Sequence, residues 1–317
     1  MARQLGLFSA SAPALSGAAR DAELAARVPD HVFFGTSSWT FPGWAGIVYE
    51  GKPTERWLKQ SGLGEYARHP LFRSVGIDRS FYRPLDRETL RDYRGQLPPG
   101  FRCVLKVFRG ITSITDPETG ADNPAFLSPQ AFEADVVAPL RDEFGGHVAA
   151  LVLTFPPATG SRFSSADFAG RLRRFLDAAA RDFPIAVELR SRQLFTPRYL
   201  DVLRSSGASH VFNFWEAMPE LGEQLDQVGL TGPVCVARLL IPPGRRYEDR
   251  KRELLPFDAI KDPQPRMRAD IVRLAQACRA AKKALFVIVN NKAEGSSPLT
   301  IRALAEELAG LVPPEKC

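Results

Sequence analysis

Eight short apolar runs recur at regular intervals along the 317 residues and constrain the fold more than any other feature. Each run is rich in Val, Ile, Leu or Phe and apolar almost throughout, which is typical of strands covered on both faces of a parallel sheet. Helical patterns lie between most of the runs. The predicted strands are 31–36, 73–78, 101–108, 147–154, 184–189, 210–214, 234–240 and 284–290. The clearest predicted helices are 86–94, 128–140, 165–180, 266–281 and 299–311.

This alternation predicts an α/β fold, a single-domain (β/α)8 TIM barrel over residues 31–312. The alternative is a doubly wound open sheet, which usually carries a glycine-rich phosphate turn after its first strand. Here the first strand is followed by GTSSWTFPGW, which lacks that glycine pattern, so the barrel is favoured. We expect residues 1–30 to be a flexible lead-in with a frayed helix at 21–27, and residues 313–317 to be a tail.

The composition is that of an ordinary soluble globular protein, with 44% apolar and 25% charged residues. No apolar stretch approaches the roughly 18 residues that a membrane span needs, so no membrane partner is expected. The four cysteines lack metal-binding or disulfide spacing, which fits a reducing cytoplasm. A net charge of +6 permits an anionic partner without requiring one, and the oligomeric state stays open.

Active sites of such barrels lie at the C-terminal ends of the strands, where this chain places many polar residues. Asp78, Lys106 and Glu188 are the catalytic candidates, because carboxylates and a buried lysine can exchange protons. Residues Lys106, Glu188, Arg190 and Arg238 could alternatively form a fixed ion network that plugs the barrel mouth. The residues expected to bind substrate are Thr36, Trp39, Tyr82, Arg109, Arg190, Asn213, Arg238, Asn290, Asn291 and Lys292.

Strand alternation places side chains two positions apart on one face. If the candidates point into the barrel mouth, an apolar residue lies beneath each of them. These pairs are Val104 below Lys106, Ala186 below Glu188, Val236 below Arg238 and Ile288 below Asn290.

All four histidines precede or begin predicted strands, and so fall at the rim opposite the expected site. They are His31, His69, His147 and His210. No His-ligated metal site is therefore predicted. The alternative is Mg²⁺ or Mn²⁺ held by Asp78, Glu188 and Glu216. No other cofactor is predicted.

Two loops admit both a binding and a structural interpretation. Residues 241–257, IPPGRRYEDRKRELLPF, could form an anion-attracting rim, or a helical turn with internal ion pairs. Trp39 and Trp44 after the first strand could stack on a sugar or base, or pack on the barrel rim.

Five segments together resemble the DUF72 family, also called YecE-like proteins, over residues 32–310. The resemblance implies a TIM barrel and no secure activity. The chain departs from the family pattern in three motifs: Gly76 and Asp78 replace the Glu and Asn of a VEIN motif, Ser113 replaces a frequent His, and residues 154–157, TFPP, replace a QLPP-like end of the fourth strand. The segments are GTSSWTFPGWAGIVY, VGIDRSFYRP, FRCVLKVFRGIT, VELRSRQLF and VNNKAEGSSPLTIRALAEEL.

Three functions remain open from the sequence. The first is an enzyme of undetermined reaction class, acting on a small anionic or polyhydroxylated substrate that is sugar- or phosphate-like. The second is a nucleic-acid-binding or processing protein, by analogy with endonuclease-IV-like barrels. The third is a non-catalytic scaffold.

Overall fold

The computed structural model describes residues 17–116 and 119–310. Eight parallel strands form one nearly closed barrel in the order β1-β8-β7-β6-β5-β4-β3-β2, which confirms the predicted fold. The strands are β1 Val32–Thr36, β2 Ser74–Ile77, β3 Arg102–Lys106, β4 Val148–Phe155, β5 Ile185–Leu189, β6 Ser209–Phe214, β7 Cys235–Leu239 and β8 Leu285–Val289.

Helices surround the strands and bury one face each against them. A π-helix, Glu133–Val137, joins α5 to α6. Side-chain caps begin several helices; the Asp86 carboxylate, for example, accepts a hydrogen bond from Thr89 N at 2.7 Å at the start of α3. The helices are α1 Gly17–Ala25, α2 Glu55–Tyr66, α3 Arg87–Gln96, α4 Arg109–Thr112, α5 Pro129–Phe132, α6 Ala138–Glu143, α7 Pro157–Arg162, α8 Ser165–Ala178, α9 Pro197–Ser206, α10 Leu221–Val228, α11 Tyr247–Leu254, α12 Pro265–Ala280 and α13 Ser297–Ala309.

Residues 17–30, assigned from the sequence to the lead-in, carry α1, which packs on α13. The buried Asp21 accepts two hydrogen bonds from Arg302 of α13, at 2.7 and 2.6 Å. This part of the chain is therefore docked on the barrel. The rest of the expected lead-in and the expected tail lie outside the described residues. None of the described helices is long and apolar enough to cross a bilayer.

The barrel interior is filled by a compact apolar cluster that is separate from the larger core between strands and helices. It contains the four residues expected beneath the polar candidates: Val104, Ala186, Val236 and Ile288. The polar residues two positions further along these strands therefore stand at the top of the barrel interior. Because apolar side chains fill the barrel interior, the candidate site lies above them, at the C-terminal ends of the strands.

The barrel is completed where β1 meets β2 by the buried side chain of Tyr66 in α2. Its hydroxyl accepts from Thr36 N at 2.8 Å and donates to Ser74 O at 3.1 Å. Gly35 of β1 lies so close to the Ser74 backbone that an added Cβ would fall well inside contact distance. Close approach of these two strands therefore requires glycine at position 35.

We predict that Gly35→Ala destabilises the protein by about 1–3 kcal/mol, because the new methyl group forces β1 away from β2. Urea unfolding followed by circular dichroism measures the change. Gly95→Ala in α3 is the matched control, since nothing lies within 4 Å of its added Cβ. That control should stabilise by about 0.5–1 kcal/mol. Equal stability of Gly35→Ala and wild type would contradict the close packing of β1 and β2.

Candidate active site

Arg238 of β7 occupies the centre of the barrel mouth and bridges two carboxylates. Its Nη1 donates to Glu188 Oε2 at 2.6 Å, and its Nη2 lies 2.7 Å from both oxygens of Asp78. Glu188 belongs to β5, and Asp78 follows β2. The guanidinium is 1% exposed, so water contributes little to its solvation. Arg238 therefore ties strands from different sides of the barrel together.

Glu188 is fully buried, and both of its oxygens are occupied. Oε1 accepts from Arg190 Nε at 3.1 Å and lies 3.0 Å from Arg190 Nη2. Oε2 accepts from Thr154 Oγ1 at 2.9 Å as well as from Arg238. Burial opposes ionisation of this carboxyl, but Arg190, Arg238 and Lys106 outweigh burial and hold its pKa well below the usual range. Glu188 is therefore a carboxylate at neutral pH.

Lys106 ends β3 and is held less tightly than the two arginines. Its Nζ lies 3.2 Å from Asp78 Oδ2, and 5.2 Å from the ring centroid of Phe81. Burial, followed by repulsion from Arg238, lowers the pKa of Lys106 to about 8. Asp78 is affected in the opposite way: burial opposes its ionisation, but Arg238 and Lys106 lower its pKa.

We call Asp78, Lys106, Glu188, Arg190 and Arg238 the charge network. With Lys106 protonated it holds three positive and two negative groups, so its net charge is +1. This is the ion network that the sequence left as an alternative, extended by Asp78. Buried charges are costly unless paired, and one positive charge here has no carboxylate of its own. The network can therefore accept an anion.

A cleft of about 420 Å³ opens beside Asp78. Trp39 lies in its wall but is buried, with Nε1 donating to Leu58 O at 3.0 Å. Tyr82 stands on the rim and is 66% exposed. Its ring centroid lies 5.9 Å from the Arg109 guanidinium, whose buried Nε has no hydrogen-bond partner among the described residues. The cleft thus offers an aromatic rim beside a cation.

The opposite side of the mouth is formed by β5 and β6. Arg190 stacks over the ring of Trp215 at 4.0 Å. Asn213 is fully buried; its Nδ2 donates to Leu189 O at 2.6 Å, whereas its Oδ1 and the Trp215 Nε1 find no partner in the described part of the chain. Unpaired buried polar atoms are costly, so each of these two atoms lacks the hydrogen bond that burial normally demands.

The two adjacent asparagines after β8 have different surroundings. The Asn291 Oδ1 accepts from Trp44 Nε1 at 3.2 Å and from both N and Oγ of Ser297 at 2.8 Å, so Asn291 fixes the start of α13. Asn290 lies nearer the mouth, where its Nδ2 donates to Ser37 Oγ at 2.8 Å. The contacts of Asn291 are therefore structural, although the sequence analysis grouped it with the substrate-binding residues.

Lys292 and Glu294 also differ from each other. The Lys292 ammonium lies 4.2 Å from the ring centroid of Tyr247 and has no carboxylate partner among the residues described. Glu294 is fully buried and accepts from Arg268 Nε at 2.9 Å and from Gln264 N at 2.6 Å. Glu294 anchors the loop to the start of α12, whereas Lys292 remains a candidate for anion binding.

Thr36 does not face the mouth. Its Oγ1 donates to Ser38 O at 2.7 Å, and also lies 3.0 Å from the Tyr66 hydroxyl on the outer side of β1. Neighbouring Ser37 lines the cleft instead. The sequence was off by one residue here, and the opposite orientation of the side chain follows from strand alternation.

The arginines of residues 241–257 are largely engaged within the loop. Arg245 pairs with Glu253 at 2.5 Å and Arg252 with Asp249 at 2.6 Å. Arg250 is buried and donates to Asp262 at 2.6 Å and to the backbone of the β8 loop. Of the two interpretations of this segment, the structure therefore matches the helical turn with internal ion pairs. That turn is α11.

The sequence overlooked two members of the site. Thr154 contributes the hydroxyl on Glu188, and Phe81 contributes the apolar surface beside Lys106. A polar residue at the end of the otherwise apolar fourth strand was the available signal for Thr154. Phe81 gave none, because its position depends on the turn after β2.

No three His, Cys, Asp or Glu side chains within residues 17–116 and 119–310 are grouped so as to hold a metal ion. The histidines have other partners: His210, for example, lies 2.9 Å from the Tyr199 hydroxyl and 3.2 Å from Gln224 Oε1. At Gly76, an added Cβ would lie 2.8 Å from Ile288 Cγ2, so this barrel has no room for a side chain there without rearrangement.

A larger cleft of about 710 Å³ lies on the flank, lined by α1, α2 and the loop after β1. Its most buried charged groups satisfy one another: Asp21 pairs with Arg302 at 2.6 Å and lies 3.4 Å from His69 Nε2. Burial lowers the pKa of His69 to about 4. We place the candidate site at the barrel mouth, where charge remains uncompensated.

The fold and the charged mouth define a (β/α)8 barrel with a polar pocket at the C-terminal ends of its strands. The family model for proteins of unknown function DUF72 matches residues 33–316. The chain belongs to the DUF72 family. None of the curated proteins matches it.

Two solved structures of DUF72 family proteins are similar to this fold. One is from Enterococcus faecalis V583, at 18% identity and a TM-score of 0.60, with 90% of this chain and 99% of that chain covered. The other is from Thermotoga maritima MSB8, at 18% identity and a TM-score of 0.57, with 87% and 99% covered. At these identities the likeness shows the fold alone.

We predict that Asn291→Ala destabilises the protein by about 1–3 kcal/mol, because it leaves the buried donors of Trp44 and Ser297 unpaired. Asn290→Ala is the matched control and should destabilise less than Asn291→Ala, since the two side-chain bonds it loses, to Ser37 Oγ and from Lys292 N, are only partly buried. Urea unfolding of both variants measures the difference. Equal losses of unfolding free energy in the two variants would contradict the different structural roles assigned to the two asparagines.

We also predict that Glu188→Gln destabilises the protein by about 3–5 kcal/mol at pH 7, because Arg238 and Arg190 lose a buried counter-charge. Urea unfolding again reports the loss. Glu306→Gln is the control: Glu306 pairs with Arg20 on the surface at 2.8 Å, and its loss should cost less than about 1 kcal/mol.

The gap between wild type and Glu188→Gln should narrow in acid. The folded pKa of Glu188 lies below the unfolded value, so its stabilisation is complete above about pH 4.3 and is lost as the pH falls towards the folded pKa. The expected narrowing is about 1.4 kcal/mol for each pH unit below about 4.3. A gap that is constant from pH 7 to pH 3 would mean that Glu188 is not held ionised by the network.

Proposed function

We propose that this DUF72 protein is an enzyme that binds a small anionic or polyhydroxylated substrate at the C-terminal mouth of the barrel. The observation that carries the proposal is the charge network, whose three cations share two carboxylates. A phosphate or carboxylate group would supply the missing negative charge. The cleft beside Asp78 has space for the rest of a small molecule.

Exposure divides the network into two kinds of residue. Glu188 and Arg238 are buried and fully engaged, so we assign them to positioning. The side chains of Asp78 and Lys106 are 27% and 13% exposed, and Asp78 lines the cleft with Lys106 next to it, so both are network members open to a substrate. We assign acid–base chemistry to Asp78 and Lys106, and anion binding to Lys106 and Arg190. Asn213, Arg109 and Lys292 are further candidates for substrate contact.

Several contacts favour a small anion over nucleic acid. Trp39 and Trp44 are buried and donate to Leu58 and Asn291, so neither is free to stack on a base. Arg245 and Arg252 have carboxylate partners in their own loop. The sequence features that suggested nucleic-acid binding are therefore engaged in contacts within the protein.

Divalent cations fit this site poorly. Mg²⁺ and Mn²⁺ prefer carboxylate oxygens. A cation held between Asp78 and Glu188 would have to displace Arg238 from both, and Lys106 and Arg190 would repel it. We therefore include no metal in the proposed function.

We predict that inorganic phosphate stabilises wild type against heat, since a ligand at a hundred times its dissociation constant adds about 2.7 kcal/mol. Lys106→Met should weaken phosphate binding about tenfold or more, because it makes the network neutral; one factor of ten is about 1.4 kcal/mol. The measurement is thermal unfolding over a phosphate titration at constant ionic strength.

Lys251→Met is the control. Lys251 is exposed on α11, and its substitution removes the same charge from the chain as Lys106→Met does. It should respond to phosphate as wild type does. The panel also holds glucose 6-phosphate, glucose and a single-stranded oligonucleotide. Stabilisation by the oligonucleotide alone, disappearing as salt rises, would reject the small-substrate proposal in favour of nucleic acid.

A further inference from the structure

Lys106 is the cation of the charge network with the weakest hold on a carboxylate. Arg238 approaches both oxygens of Asp78 at 2.7 Å, whereas the Lys106 Nζ lies 3.2 Å from one of them. Arginine keeps its proton in proteins, so Arg238 and Arg190 stay charged. Lysine does not have that constraint, and a buried lysine readily loses its proton. Lys106 is therefore the network residue that can present a neutral amine.

The charged groups around Lys106 come from three directions. Asp78 after β2 and Glu188 on β5 attract its proton, while Arg238 on β7 and Arg190 after β5 repel it. Burial and Arg238 dominate, so the pKa of Lys106 falls to about 8. About half of the molecules then carry a free amine at pH 8. The free amine has a lone pair, which is the requirement for a nucleophile.

We propose that Lys106 is a nucleophile that forms an imine with a small anionic aldehyde or ketone. This inference rests on the proposed function, since Arg190, which stays charged when Lys106 loses its proton, would hold the anionic group of the carbonyl compound at the same barrel mouth. Arg190 suits that task, because its Nη1 makes no hydrogen bond among the described residues while Nε and Nη2 are fixed on Glu188. The substrate class is thereby narrowed to carbonyl compounds bearing a phosphate or carboxylate.

The reaction requires no oxidant or reductant. The Nζ lone pair attacks the carbonyl carbon, and the C=O π pair moves to oxygen, which takes up a proton to give a carbinolamine. Nitrogen loses two protons in turn, and Asp78 Oδ2, at 3.2 Å from Nζ, passes the first to the carbonyl oxygen and the second to the departing hydroxyl. The products are an imine and one water, so the net exchange of protons is zero.

The side chain packs in a way that suits this role. The ring of Phe81 lies 5.2 Å from Nζ on one side and excludes water there. The Lys106 side chain as a whole is 13% exposed, so it is accessible without being freely hydrated. Water competes with the amine for a carbonyl carbon and hydrolyses imines, so limited exposure favours the adduct.

The test is borohydride trapping on the full-length wild-type chain, followed by peptide mass spectrometry. Glycolaldehyde phosphate is the anionic probe, and glycolaldehyde is its uncharged match. We expect adducts from glycolaldehyde phosphate to occur at Lys106 at least about tenfold more than at the exposed Lys251. With glycolaldehyde this preference should fall several-fold. Trapping at Lys106 should rise with pH around a midpoint near 8.

Variants confirm the assignment without being essential to it, because the adduct is mapped on wild type. Lys106→Arg should lose the adduct and keep phosphate binding, since it retains the charge but cannot form an imine. Asp78→Asn should slow trapping at Lys106 by about a hundredfold or more, which is the range typical of lost general acid–base catalysis. Thermal unfolding verifies that each variant is folded.

Two results separate this inference from the function on which it rests. Phosphate stabilisation with no preferential adduct at Lys106 would overturn the imine and leave anion binding intact. An adduct at Lys106 that is equally frequent with both probes would support a nucleophile but reject recognition of the anionic group. Neither stabilisation nor a preferential adduct would overturn both proposals.

Discussion

A guanidinium buried between two carboxylates controls the upper part of this barrel. Arg238 extends from β7 to reach Glu188 on β5 and Asp78 beyond β2, so its side chain crosses the mouth. Removing one member of such a buried group leaves an uncompensated charge, which costs far more than the loss of a surface pair. The arrangement therefore fixes Asp78 and Glu188 in one geometry, and the neighbouring Lys106 and Arg190 take their places around these carboxylates.

This rigidity also produces the chemical asymmetry of the site. Two arginines hold the carboxylates in their charged form, while burial and then the same arginines disfavour a third positive charge on Lys106. A single arrangement thus provides ionised acids and a lysine that is easily deprotonated. Such opposed shifts in neighbouring groups are characteristic of functional sites, although structural networks produce them too. The excess positive charge beside an open cleft favours the functional interpretation.

The barrel could be predicted from the sequence because it depends on repetition. Eight apolar runs and the helices between them define the strand count, and alternation correctly placed Val104, Ala186, Val236 and Ile288 below the mouth. Alternation does not by itself show which of two neighbouring residues at the end of a strand faces the barrel interior. Thr36 was therefore confused with Ser37, which lines the cleft.

Loops were harder to predict because their partners are distant in sequence. Asn291 contacts Trp44, which lies 247 positions away, and this contact gives it a structural place. The arginines after β7 are paired in ways that depend on the formation of α11. The members of the charge network were named from the sequence, but their pairing was not, because pairing depends on which strands face each other across the barrel.

The most direct test of the uncompensated charge is an NMR titration of the Lys106 side chain, with Lys106→Arg to assign its signal. The account predicts a pKa of about 8, which rises when inorganic phosphate fills the mouth. A pKa near the ordinary lysine value of about 10.4, unchanged by phosphate, would contradict it. That result would mean that Asp78 fully compensates Lys106 and that the barrel mouth holds a closed ion network.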